Sequence, residues 1–139
     1  MKPVDQQFMH NPAKGTVGDC FRACIASVLE LPADAVPHFA LLGNRWSRVA
    51  DAFCEALSRD LEWHDGEPPD DIWAIVTVQS PRGSDVRHSV IYRGGKMVHD
   101  PHPSRAGGEP IGGYFCLTPD LPSPHTAMTR VRTAPEKGY

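Results

Sequence analysis

Between residues 20 and 29 the apolar side chains Phe21, Cys24, Ile25, Val28 and Leu29 recur at i, i+3, i+4, i+7 and i+8, the spacing of a helix that buries one face. The pattern predicts a helix over residues 19–30, with Asp19 as its N-cap and Pro32 closing it. A second helical period, Trp46, Val49, Phe53, Cys54 and Leu57, predicts a helix over residues 45–59 capped by Asn44, with one short helical turn before it at residues 33–36. After Asp60 the period changes. Residues 61–63 read as an edge strand, and the β-branched run at 71–79 as a central one. Residues 88–93 and 96–100 flank Gly94-Gly95 and form the strongest hairpin signal in the chain, with Pro101 and Pro103 stopping the second strand. Residues 114–117 add one more strand. Helices first and an antiparallel sheet after them make an α+β fold, N-terminal helices packed on a small antiparallel sheet.

Composition adds the outline around these elements. A chain of 139 residues suits one domain with a sizeable core. Most of its 14 prolines lie before Cys20 or after Glu67, so residues 1–17 read as an extended arm over the domain. The domain is expected to span 1–118, followed by a proline-rich, aperiodic tail at 119–139. A net charge of -3 with no run of Lys or Arg argues against nucleic acid as a partner. No stretch approaches the ~20 apolar residues of a membrane span, so no membrane partner is expected. The first ten residues lack the apolar centre of an export signal, and the reading is of a cytoplasmic protein. In that compartment Cys20, Cys24, Cys54 and Cys116 are expected as free thiols.

Cys20 stands apart from the other three because it falls in the first turn of the predicted helix. Unpaired N–H groups and the positive end of the helix dipole favour an anion there, so the position predicts a lowered thiol pKa and a nucleophile. The plainer reading of any free cysteine is a small buried residue. A nucleophilic thiol needs a base, and imidazole is the side chain whose pKa suits both taking and returning a proton near neutrality. Of the seven histidines, His88 opens the first hairpin strand, and Asp100 ends the second. A three-residue turn at 93–95 would set Tyr92 opposite Lys96 and His88 opposite Asp100, on one face and about 5 Å apart at Cβ. A two-residue Gly94-Gly95 turn would put Asp100 on the other face, so the pairing demands an odd loop or a bulge.

Asp-Cys-Phe-Arg-Ala-Cys at a helix start, a histidine opening a strand and Asp-Pro closing the next resemble papain-like cysteine peptidases. The chain is most similar in these motifs to the bacteriocin-processing peptidases of ABC exporters. It is similar also to small phage and bacterial proteins with a Cys-Phe-x-Ala-Cys helix and a Val-His-Asp-Pro-His-Pro segment. The resemblance covers residues 4–117 and implies a papain-like fold with Cys20 as nucleophile, His88 as base and Asp100 as the residue that orients the ring. It also implies a glutamine upstream of the cysteine that helps hold an oxyanion. Six residues before Cys20 stands Lys14, so the candidates are Gln6 and Gln7, of which Gln6 is favoured because Phe8 reads as the neighbouring core contact. Phe21 replaces the glycine that often follows the family's cysteine. The implied activity is hydrolysis of a peptide or isopeptide amide in a peptide or protein substrate, with no cofactor and no metal.

Three other readings compete. Acyl transfer to an amine would use the same triad and acyl-enzyme. A non-catalytic binding or inhibitor module could retain the scaffold without the activity. Zinc held by His99, Asp100 and His102 with Cys20 or Cys24 matches no standard ligand spacing.

Overall fold

Helix α1, Cys20–Leu29, places Ala23, Cys24, Ile25, Ala26, Val28 and Leu29 at no more than 1% exposure in the computed structural model, which describes residues 1–120. Each of the larger side chains contributes roughly 1.5–3 kcal/mol by leaving water. The helix is buried on nearly every side, not on one face as its spacing predicts, because Arg22 and Ser27 are covered too. Its end is set by the backbone. Glu30 enters the left-handed region at φ 59°, its N–H donates to Ser27 O and that of Leu31 to Ala26 O, and Pro32 then prevents continuation.

Two 3₁₀ turns, Ala33–Ala35 and Phe39–Arg45, lead to helix α2, Trp46–Ala56. The second turn runs straight into the helix. Asn44 therefore lies inside that turn and does not cap α2, which starts and stops inside the expected 45–59.

The sheet has five antiparallel strands: β1 Asp60–Asp65, β2 Ala74–Gln79, β3 Arg87–Arg93, β4 Lys96–His99 and β5 Glu109–Thr118, in the order β1-β5-β2-β3-β4. The α+β class is therefore as expected. The last strand is longer than its apolar stretch predicts, because its first half pairs through Glu109 and Pro110 to β2 and through Gly113 to β1. A Cβ on Gly113 would lie 2.3 Å from His64 O, so only glycine lets β1 and β5 approach there.

Alternation divides the sheet between two cores. Ile75, Ile91 and Leu117 face the helices, where α1 lies against β3 and α2 against β1. Val76, Val78, Val90, Tyr114 and Cys116 form the opposite face. The N-terminal arm straps α1 to the end of β4. Lys2 N–H donates to Ser27 O and Val4 N–H to Ser27 Oγ, both at 2.9 Å, while Gln6 N–H donates to Pro101 O at 3.0 Å.

The described fold runs two residues beyond the expected boundary at 118, since Asp120 accepts from Trp73 N–H at 3.3 Å and from Arg93 Nη1 at 3.1 Å. The rest of the proline-rich segment expected at 119–139 lies outside the described residues. Among the described residues no single helix is long and apolar enough to cross a membrane.

Candidate active site

The hairpin that presents His88 takes the second of the two routes open to it, a two-residue turn followed by a bulge. Gly94 and Gly95 hold φ of 64° and 78°, left-handed values that suit a two-residue turn, and Arg93 therefore faces Lys96. Continued unbroken, that register would send Asp100 to the wrong face. Tyr92 instead faces Met97 and Ile91 faces His99, which leaves Val98 as the extra residue of a bulge. The bulge shifts the register by one and returns Asp100 to the face of His88.

The two side chains bond directly, His88 Nε2 to Asp100 Oδ1 at 2.6 Å, with both groups buried. Asp100 is held from three further directions. His102 N–H donates to Oδ1 at 2.9 Å, Gly107 N–H donates to Oδ2 at 2.7 Å, and Arg105 donates to its carbonyl. Burial pushes the Asp100 carboxyl up, but these hydrogen bonds outweigh it and leave the group below its ordinary 3.8. Burial draws the His88 ring below its ordinary 6.5 against the pull of Asp100, and Arg82 adds to the lowering. An ionised Asp100 beside a neutral His88 fixes the tautomer: Nε2–H donates to the carboxylate and Nδ1 keeps its lone pair. Nδ1 has no hydrogen-bond partner among the described residues.

Cys20 opens α1 and lines a cleft of about 400 Å³ together with Gln6, His38, Arg82, His88 and His102. β4 stops where His99 meets Ile91, so the start of β3 has no strand on that side, and there Ser89 bears on the thiol. Burial pushes the Cys20 thiol above its ordinary 9.0, although the N–H and hydroxyl of Ser89 and the N–H of Phe21 draw it back. This overturns the lowered pKa expected from the helix start. The main reason is burial of the thiol, which penalises the charged form more than the helix end favours it, and the Asp19 carboxylate at the same helix end adds a smaller upward push. No hydrogen bond joins Cys20 Sγ to His88 among the described residues; the two share the cleft.

Asp19 stands at the N-cap as expected, and its carbonyl accepts from Ala23 N–H, but its side chain makes no capping bond. It is 1% exposed and grips the arm. Oδ1 accepts from Gln7 N–H at 2.9 Å and Phe8 N–H at 2.8 Å, while Oδ2 pairs with Arg22 at 2.7 Å. That grip settles which glutamine enters the cleft. Gln6 lies in it at 8% exposure, with Nε2 donating to Phe8 O at 2.8 Å and Oε1 buried without a partner among the described residues. Gln7 turns away and accepts from Arg22 Nη2 at 3.3 Å. One hydrogen of the Gln6 amide remains uncommitted.

Cys24 and Cys54 are spent on packing. Cys24 is fully buried and its thiol lies well above 9.0, while burial and Asp51 push Cys54 up to about 12. His99 is also structural, its Nε2 donating to Val4 O at 2.9 Å to pin the arm. The described residues do not gather His99, Asp100 and His102 with Cys20 or Cys24 into a ligand group.

Sequence reasoning missed Asp19, Arg22, Ser89 and His102 as parts of this site. Only the Asp19–Arg22 pair had a signal, its i, i+3 spacing on a helix. No family model, no curated protein and no solved structure matches the chain.

Proposed function

We propose that this chain is a papain-like thiol hydrolase that cleaves a peptide or isopeptide amide through Cys20, His88 and Asp100. The observation that carries the reading is the 2.6 Å His88–Asp100 bond, which leaves an unpartnered Nδ1 on a residue lining the same cleft as Cys20. The protonation states favour a general-base start over a preformed thiolate. Substrate brings the thiol under Nδ1, which accepts the Sγ proton as Sγ bonds to the carbonyl carbon. Asp100 stabilises the resulting imidazolium. Negative charge on the carbonyl oxygen is met by the Cys20 N–H at the helix start and by the uncommitted hydrogen of Gln6 Nε2. The C–N bond then breaks, Nδ1–H protonates the departing amine, and water attacks the thioester with His88 again as base. An amine in place of water would make the same intermediate an acyl donor.

The test is mass spectrometry of the protein after exposure to a peptide bearing a carbon electrophile in place of the scissile carbonyl. One covalent adduct on Cys20 is expected, absent in Cys20→Ala and at least tenfold slower in His88→Ala. Equal labelling of wild type and His88→Ala would sink the triad and favour a binding module on the same scaffold.

A further inference from the structure

On the sheet face away from the helices, and away from the cleft, three unlike donors converge. Glu62 and His64 stand two apart on β1 and project to one side, and Cys116 of β5 lies directly opposite Glu62 in the register. The Glu62 carboxylate, the His64 ring nitrogen and Cys116 Sγ all lie within 4.8 Å of one another. We propose that Glu62, His64 and Cys116 form a zinc site, with the fourth position open to water.

The donor chemistry favours zinc over harder or larger ions. One thiolate, one imidazole and one carboxylate suit a borderline-soft tetrahedral ion, whereas calcium and magnesium take oxygen sets. Charge balances as well, since a thiolate, a carboxylate and a neutral imidazole neutralise Zn²⁺ within a site whose cysteine is only 6% exposed. Two of the donors are already oriented. Thr118 Oγ1 donates to Glu62 Oε2 at 2.8 Å, and the His64 ring stacks on Tyr114 with centroids 5.5 Å apart. His64 Nε2 now shares a hydrogen bond with Glu62 Oε1 at 2.9 Å, so the metal would take the place of that shared proton. Binding at neutral pH therefore frees the Cys116 thiol proton, while the imidazole keeps one proton, moved to Nδ1.

The experiment is titration of the full chain with Zn²⁺ by calorimetry in buffers of different ionisation enthalpy, with Co²⁺ as the spectroscopic substitute. Expected are one equivalent bound, about one proton released per metal, and a thiolate-to-cobalt charge-transfer band. Cys116→Ser should abolish the band. Because Cys116 is buried, the exposed His64→Ala and the orienting Thr118→Val serve as second variants, and each should weaken binding about tenfold or more. The double variant Cys20→Ala/His88→Ala should bind unchanged, which separates this site from the cleft. No saturable binding in wild type, or binding unaffected in His64→Ala and Cys116→Ser alike, overturns the proposal.

Discussion

Ile91 faces His99 while its neighbour Tyr92 faces Met97, and the residue left over between those partners, Val98, is what brings Asp100 under His88. A glycine-glycine turn by itself would have separated them. The hydrogen bond at the centre of the site is therefore a consequence of one bulged residue, exposed at the sheet surface.

Asp100→Asn tests that bond. Its carboxylate accepts from His88, His102 N–H and Gly107 N–H, and an amide presents an N–H₂ where one of these donors now points. The variant should lose about 1–3 kcal/mol, seen as a melting temperature lower by several degrees, and turnover should fall roughly 10²–10⁴-fold. Unchanged turnover in a folded variant would remove Asp100 from the mechanism.

Alkylation with iodoacetamide reads the thiol. Cys20 should react first of the four, since it alone lines the cleft and Cys24 is sealed. Its rate should climb through pH 9.0 instead of levelling near pH 6, because burial holds the thiol neutral. A plateau below pH 7 would show a preformed thiolate–imidazolium pair.

Acid should destabilise the fold in two stages. His88 lies below its ordinary 6.5 in the folded state, so the unfolded chain binds more protons and stability falls as pH drops from about 6.5 through the folded value. Asp100, held below 3.8, adds a second loss on the acid side of that value. Urea melts between pH 8 and 3 should show a smaller first decline in His88→Phe than in wild type, the remainder coming from His102, which also lies below its ordinary 6.5; the same slope in both would assign it elsewhere.

Asp19 and Gln6 should separate stability from chemistry. Asp19→Ala leaves Arg22 buried without its carboxylate and frees two arm N–H groups, at a cost of about 3–5 kcal/mol in a denaturant melt. Gln6→Ala should change stability little, since it removes one hydrogen bond to Phe8 O, yet lower turnover about 10–10³-fold. The reverse ranking would make Gln6 a structural residue.

The sequence by itself determined the class of fold and singled out Cys20, His88 and Asp100 as the candidate residues. Period 3.6 before Asp60 and β-branched runs after it are local signals, and they located α1, β2 and the hairpin to within a few residues. Cys20, His88 and Asp100 were legible as candidates because each sits at or beside the end of an element. What only the tertiary structure decided depends on contacts between distant parts of the chain. The arm over α1 buried Ser27 and Arg22, which the helical period had left outside. The Asp19 side chain grips that arm instead of capping the helix, which chose Gln6 over Gln7, while burial above all reversed the expected effect on Cys20. The register of the hairpin could not be read because a turn and a bulge each shift pairing by one, and alternation along a strand is blind to which of them occurs. Burial and charge at Cys20 are sums over neighbours from Asp19, Phe21 and Ser89, and no window of sequence contains all the atoms that set them.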